Sequence, residues 1–465
     1  MSSAFYGIEE HVIDASHIRS FPRTTSTTQE EALQLCIKQY TPLDNSKPQP
    51  GDVTIIAAHA NAFPKELYEP LWDELLKRSK SSGFSIRSIW IADVVHQGGS
   101  GVLNEDKLGN DPAWLDHSRD LLHMVNVFRK QMPRPLIGVG HSMGGAQLAY
   151  LSLLHPRLFE TLVLIDPVIH PRVSLQGNVT PAHASANRRD LWPSREAAAT
   201  AMKRSKFYQT WDSRVFDRWI QHGLRDLPTV IHPESSSTPG PIPATVSPEP
   251  TVTPNPPQPK EVTLTTTKHQ EVMTFLRGNF PYRPGDKEPS SAEYTLSNPG
   301  ALNRRTHPDI APSDTPQAPF YRGESGMVFA QLPNIRPSVL YVFGSLSFLT
   351  ADKTQVTQKM ELTGVGVGGS GGAKEGRVAQ VMIQDAGHLI PMEKVGETAT
   401  HAAGWISTEM LRWRAHEKST EEEWGSLKGA QRSVLPERFV EELRNTVKGH
   451  LPNLPKRKTE SPAKL

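Results

Sequence analysis

Residues 138–146 read GVGHSMGGA, with a serine at 142 and glycines two positions before and two after it. A serine hydroxyl is a weak nucleophile at neutral pH. It needs a base beside it and N–H donors aimed at the oxygen that becomes charged. The setting offers both. An apolar run at 135–139 leads into the motif and the helix-like AQLAYLSLLH (146–155) leaves it, so Ser142 stands on a sharp strand-to-helix turn. Gly140 and Gly144 are small where side chains would collide with the adjoining strand and helix. Met143 then presents its backbone N–H at a helix N-terminus, where unpaired donors and the dipole favour an oxyanion. Three fixed positions recur by chance in long chains; the strand–turn–helix context gives them weight.

That turn needs a sheet to stand on, and the surrounding segments supply one. Residues 33–40, 53–60, 84–93, 135–140 and 161–169 are strand-like, while 64–80, 112–132 and 146–155 carry helical apolar spacing. Such alternation predicts an α/β fold, a mostly parallel sheet with helices on both faces. After Ile169 the pattern changes to short helical pieces at 192–205 and 213–224, followed by a proline-rich tract at 232–261 that cannot bury enough apolar surface to order itself. Strands return at 338–344 and 378–385, with a helix near 350–362 and a glycine-rich stretch at 363–377 between them. That stretch lacks the Lys-Ser/Thr of a phosphate cradle and is expected to be a flexible surface loop, so no cofactor is implied. The expected division is 1–169 and 336–450 as two parts of one core, 170–335 as an inserted cap, and 451–465 as a flexible tail.

With the elbow and the alternation together, the chain resembles the α/β-hydrolases. HANAF (59–63) is similar to the oxyanion loop of that fold, with Ala60 where glycine is usual. By that match Asn61 gives the second oxyanion N–H, and His59 shapes the loop. The fold's base follows its last strand, where QDAGHLIPMEK (384–394) puts His388. The acid has two candidate positions. Ser347 stands where the resemblance leads one to expect an aspartate, and Asp352 lies beyond it. Asp166, at the end of the strand-like VLIDP, occupies the site that some lipases of this fold use, and it is the preferred acid, with Asp352 the alternative. A carboxylate is wanted because it fixes the histidine tautomer and stabilises the imidazolium. A serine at the elbow argues against the epoxide hydrolases and dehalogenases of the fold, which need an aspartate there.

Composition removes other function classes. Lys and Arg number 51 against 49 Asp and Glu, which gives no electrostatic footprint for nucleic acid. A single cysteine, Cys36, cannot make an intrachain disulfide, no metal-ligand spacing is present, and a reducing interior is the simplest home. The first residues lack a basic-then-apolar secretory pattern, and no run approaches the roughly 18 apolar residues of a transmembrane helix. Ala463, Lys464 and Leu465 form a close variant of the Ser-Lys-Leu address read by the peroxisomal import receptor.

HANAF, DVVHQGGSG (93–101), GHSMGG, LIDPVI, WDSRVFDRWIQHGLRDLP (211–228), TGVGVGGSGG and DAGHLIPMEK together resemble the fungal peroxisomal α/β-hydrolases, a group that includes the yeast peroxisomal lipase and hydrolases of AK-type toxin pathways. The resemblance implies hydrolysis of a lipid-like ester or acyl thioester in the peroxisome matrix, in fatty-acid or secondary-metabolite chemistry. Its expected partners are an apolar acyl substrate and the import receptor. An acyl-CoA thioesterase or acyltransferase uses the same residues, and a non-catalytic binding protein is the reading from another class. Trp192, Phe207, Trp211, Phe216 and Trp219 of the cap are expected to form mostly its own core.

Overall fold

Strands with no polar face can order only where both faces are covered. The structure, a computed structural model, describes residues 2–172, 175–233, 260–280, 292–293, 301–303, 305–310 and 319–450. Its main sheet has eight strands: β1 (Tyr6–Asp14), β2 (Gln34–Pro42), β3 (Val53–Ala58), β4 (Ile86–Ala92), β5 (Leu136–His141), β6 (Thr161–Ile165), β7 (Ser338–Gly344) and β8 (Val378–Ile383). They lie in the order β1-β2-β4-β3-β5-β6-β7-β8. β3, β5, β6 and β7 are buried at every residue, and all pairs from β4 to β8 are parallel. β2 pairs antiparallel with both β1 and β4. Sequence reading missed β1, because an edge strand with one neighbour tolerates the polar string YGIEEHVID that hides it.

Helices α1 (Glu69–Ser79), α2 (Asp116–Val127) and α3 (Met143–Leu154) lie in the crossovers. α1 buries Leu71, Trp72, Leu75 and Leu76. α3 is apolar nearly all round because it packs against β3, β5 and α2 at once.

The chain leaves the sheet after β6 and returns at β7. In this excursion α4 (Ser213–His222) is capped by Asp212, whose carboxylate accepts from the Arg214 N–H. One face buries Val215, Phe216 and Trp219 among the rings of Phe63, Tyr208 and Trp211. Arg214, Arg218 and His222, each four residues apart, face Glu74, Glu69 and Glu66 at 2.9, 3.3 and 4.0 Å. Trp192 and Trp211 are also buried, whereas Phe207 is exposed. A second helix, α5 (Lys268–Phe275), is capped by Thr267. Residues 234–259 of the proline-rich tract lie outside the described residues, as do 451–465.

α6 (Lys353–Leu362) joins β7 to the glycine-rich stretch. That stretch departs from the expected flexible loop. Gly364, Gly366 and Ser370 donate their N–H groups to the carbonyls of Leu332, Pro333 and Ile335, so it is stitched to the segment before β7. Val367 at its tip is fully solvent-facing, which is what the composition registered. The chain divides into two compact units, Met1–Met410 and Leu411–Leu465, within α7 (Val395–Ser426); the second unit holds α8 (Glu437–His450).

Four histidines packed into the first unit, His96, His117, His141 and His170, have burial as the leading cause of pKa values lowered to about 3. Below pH 6.5 the unfolded chain takes up these protons and the native chain does not, so stability falls with falling pH. At pH 5 the loss is about 2 kcal/mol per ring. Together the rings rival the whole stability of a typical domain, about 5–15 kcal/mol. Urea unfolding between pH 7.5 and 5 is expected to show a steep loss of midpoint below pH 6.5; a flat midpoint would contradict the neutral, buried rings.

Candidate active site

β5 ends at His141 and α3 begins at Met143, which leaves one residue, Ser142, to reverse the chain. It does so at φ 58° and ψ −118°, a left-handed backbone that side-chain-bearing residues seldom adopt. The two flanking glycines permit it. A Cβ on Gly140 would meet the Gly144 oxygen at 2.7 Å, and one on Gly144 would meet the Ala58 oxygen at 2.2 Å and the His59 oxygen at 2.8 Å. The second clash matters for the site, because the missing Cβ lets the start of the HANAF loop lie directly against the turn. The Ser142 N–H donates to the Ile165 carbonyl, and the Ser142 carbonyl accepts from Val168, so the turn is tied to the end of β6.

Asp166 follows β6 immediately, at φ 40°, with its side chain fully buried. The His388 Nδ1–H donates to Asp166 Oδ2 at 2.6 Å. The Ser142 hydroxyl donates to His388 Nε2 at 2.8 Å. This direction follows from the chemistry, since the carboxylate can only accept and therefore fixes the neutral ring with its proton on Nδ1. The structure thus brings Ser142, His388 and Asp166 into one relay. Asp352 is elsewhere: it caps α6, accepting from Thr354 and Gln355 N–H groups, and makes no bond to His388.

Ser347, the residue standing at the expected acid position, donates its hydroxyl to the same Asp166 oxygen at 2.5 Å and accepts from the Leu349 N–H. A hydroxyl there supports the carboxylate supplied by the neighbouring strand. The loop carrying His388 is held from two sides. Glu393 accepts from the Gly387 N–H at 2.7 Å, and His141 Nε2–H donates to the His388 carbonyl at 2.9 Å. The other His141 nitrogen accepts from the Tyr68 hydroxyl at 2.9 Å, and that hydroxyl accepts from the Ala60 N–H at 2.8 Å. One polar chain therefore runs from the HANAF loop to the His388 carbonyl.

Within HANAF, His59 donates from Nδ1 to the Ala60 carbonyl and accepts at Nε2 from the Val94 N–H, fully buried and inside the loop. The Ala62 N–H goes to Gln97 Oε1 at 2.7 Å. Among the described residues the Asn61 N–H between them has no hydrogen-bond partner, and neither has that of Met143. These are the two donors expected from the sequence, and unpaired N–H groups of this kind are what an oxyanion needs.

Sequence reasoning did not pick out Tyr68 or Lys359. Gln97 carried a signal only as part of the DVVHQGGSG motif, and Ser347 only as the residue standing where an aspartate was expected. Lys359, on α6, is fully buried, with its Nζ 5.7 Å from the Phe343 ring centre and without a hydrogen-bond partner among the described residues. Burial pushes its ammonium down to about 8, and the nearby Asp166 charge offsets part of that. Beside the relay, the Phe348 ring lies 5.0 Å from that of His388 and lines a cavity of about 630 Å³ together with His170, Leu349 and Gln355.

The alpha/beta hydrolase family model matches residues 55–401. The chain is 40% identical over 450 residues to the type I acyl-CoA thioesterase mpaH of Penicillium roqueforti (strain FM164), covering 96% of each chain. It is 26% identical over 315 residues to the abhydrolase domain-containing protein AFT2-1 of Alternaria alternata, covering 68% of this chain and 99% of that protein. Its fold matches the peroxisomal alpha-beta-hydrolase Lpx1 of Saccharomyces cerevisiae with a TM-score of 0.61 at 16% identity, over 97% of this chain and 99% of the other.

An unpaired buried ammonium costs stability until it loses its proton. The Lys359 pKa, about 8 folded against 10.5 unfolded, corresponds to about 3 kcal/mol. Because the folded value is depressed, the cost is complete below pH 8 and fades as the pH rises toward 10.5. Lys359→Met is therefore expected to stabilise the protein at pH 7 by up to that amount, with the gain shrinking by pH 10 in urea unfolding. A destabilised variant at pH 7 would mean that the ammonium is favourably paired.

Proposed function

The chain belongs to the alpha/beta hydrolase family, and from that premise we propose that it is a serine-dependent thioesterase that cleaves an acyl thioester of coenzyme A. The observation that carries the reading is the relay of 2.8 Å from Ser142 to His388 and 2.6 Å from His388 to Asp166. The thioester class is supported by the name of the relative that matches this chain nearly end to end.

In the proposed cycle His388 Nε2 takes the Ser142 proton as Oγ attacks the thioester carbonyl. The carbonyl oxygen becomes an alkoxide held by the N–H groups of Met143 and Asn61. When the tetrahedral centre collapses, the C–S bond breaks and His388 returns the proton to the leaving thiolate. Water, deprotonated by the same ring, then attacks the acyl-serine; as the C–O bond to Ser142 breaks, His388 returns the proton to Oγ and the carboxylic acid leaves. Asp166 keeps the ring oriented and carries the counter-charge to the imidazolium throughout.

A peroxisomal destination belongs to the same proposal. It rests on Ala463, Lys464 and Leu465, which read as an import-receptor address where a chain ends in them. Among the described residues no helix is long and apolar enough to cross a membrane.

Intact-mass measurement after treatment with a fluorophosphonate is expected to show a single adduct on the wild type and none on Ser142→Ala or His388→Ala. Thiol release from acyl-CoA substrates of graded chain length would then define the acyl group. An unlabelled, folded wild type would sink the reading. Asp166→Asn should lower kcat by about 10³–10⁴-fold through the wrong histidine tautomer. Asp352→Asn should leave both activity and stability near wild type, because asparagine caps a helix as well as aspartate does; the reverse ranking would move the acid. For location, a fluorescent protein fused to the N-terminus should enter peroxisomes, and removal of residues 463–465 should leave it in the cytosol. Import without the tripeptide would overturn the address.

A further inference from the structure

The motif DVVHQGGSG was conspicuous in the sequence, yet nothing in the relay uses it. It follows β4 and begins a short helix, Gly98–Leu103, with Gln97 as the preceding cap residue. Gln97 is fully buried and every polar position of its amide is engaged. Its Oε1 accepts from the Ala62 N–H at 2.7 Å, and its two Nε2 hydrogens go to Asn61 Oδ1 at 2.7 Å and Thr274 Oγ1 at 3.1 Å. The amide therefore grips the HANAF loop on both sides of the Asn61 N–H, by that residue's own side chain and by the next N–H.

The loop needs such a grip. Ala62 sits at φ 67°, a conformation that costs a residue with a Cβ and holds only where its surroundings enforce it. The Asn61 side chain is held from the opposite direction as well, since its Nδ2 donates to the Glu271 carbonyl of α5 at 3.0 Å. Thr274, on the same helix, donates to the Gln270 carbonyl at 2.7 Å and faces His96 Nε2 at 2.8 Å. With Ala60 committed to Tyr68 and Ala62 to Gln97, the one N–H of these three that stays unpaired is the one an oxyanion would use.

We infer that Gln97 is a positioning residue for the oxyanion donor: its amide sets the direction of the Asn61 N–H and ties that direction to α5 of the insert. The inference rests on the reading of Ser142 as an acylated nucleophile. It also accounts for the chemistry at 97. Glutamate has nearly the same shape and keeps the acceptor for Ala62, but it would turn a carboxylate oxygen toward Asn61 Oδ1. Asn61 cannot flip its amide in response without losing Glu271.

The test compares wild type, Gln97→Glu and Asn61→Ala for fluorophosphonate labelling and for hydrolysis of p-nitrophenyl butyrate, with circular dichroism and thermal midpoints as folding controls. The expected result is about a 10²-fold fall in kcat and in labelling rate for Gln97→Glu, the order seen when an oxyanion donor is lost, with KM within about threefold of wild type. Asn61→Ala keeps the backbone donor but releases the loop from Gln97, and is expected to lose about tenfold in kcat alone. A folded Gln97→Glu with wild-type kcat, or a loss confined to KM, overturns the inference while wild-type labelling leaves the thioesterase reading standing. If Gln97→Glu does not fold, wild-type kcat in Asn61→Ala overturns it instead. A wild type that is not labelled at all overturns both.

Discussion

The site depends on a single backbone reversal between β5 and α3. A residue with a side chain is held there in left-handed geometry, and the energy for that comes from its neighbours. The Ser142 N–H and carbonyl bond to Ile165 and Val168, one on each side of the Asp166–Pro167 turn, so the Ser142 turn and the Asp166 turn are hydrogen-bonded to each other. Asp166 itself is at positive φ, with its N–H donated to the Val342 carbonyl of β7. Three adjacent parallel strands therefore fix two of the three relay members as one rigid piece. Only His388 arrives on a longer loop, and that loop carries its own restraints from Glu393 and His141.

This coupling holds the Asp166 carboxylate in place after β6. A carboxylate at either strand end can reach the same imidazole nitrogen, because β6 and β7 are parallel neighbours ending side by side. Where β6 supplies the aspartate, the end of β7 must not bring a second negative charge to the same oxygen. Ser347 meets that condition with a neutral donor. Lys359 adds positive potential behind the carboxylate without bonding to it. A buried ammonium is costly, so its presence beside Asp166 fits a place where holding negative charge is the requirement.

The central strands, the elbow and the helix that leaves it were legible because each rests on a local rule: buried parallel strands are continuously apolar, and a tight turn demands glycines on both sides. His388 and Asn61 could be singled out only through the resemblance to the fold, which puts a base after the last strand and an oxyanion donor in HANAF, whereas Met143 followed from the strand-to-helix turn itself. The choice between Asp166 and Asp352 could only be ranked, since both follow strand-like runs and the deciding fact is which side chain meets Nδ1 across 222 residues of sequence. Edge strand β1 was lost to its polar composition. The glycine-rich stretch was misjudged because composition registers exposure, whereas its order comes from carbonyls about 30 residues earlier. The roles of Tyr68 and Gln97 could not be read for a common reason: each acts through a contact made only after distant segments have packed.

The polar chain from Ala60 to His388 shows what such contacts add. Tyr68 and His141 each accept from one side and donate to the other, so the Ala60 N–H, the phenol, the imidazole and the His388 carbonyl are ordered in one direction. A protonated His141 would have no acceptor to offer Tyr68, and the order would break. Burial holds this ring neutral, with its pKa lowered to about 3, which keeps the chain directional at neutral pH. The residue at the second position of G-x-S-x-G thus does structural work that a small or apolar residue could not do. It links the HANAF loop to the loop that carries His388, so that the two share one hydrogen-bonded frame behind Ser142.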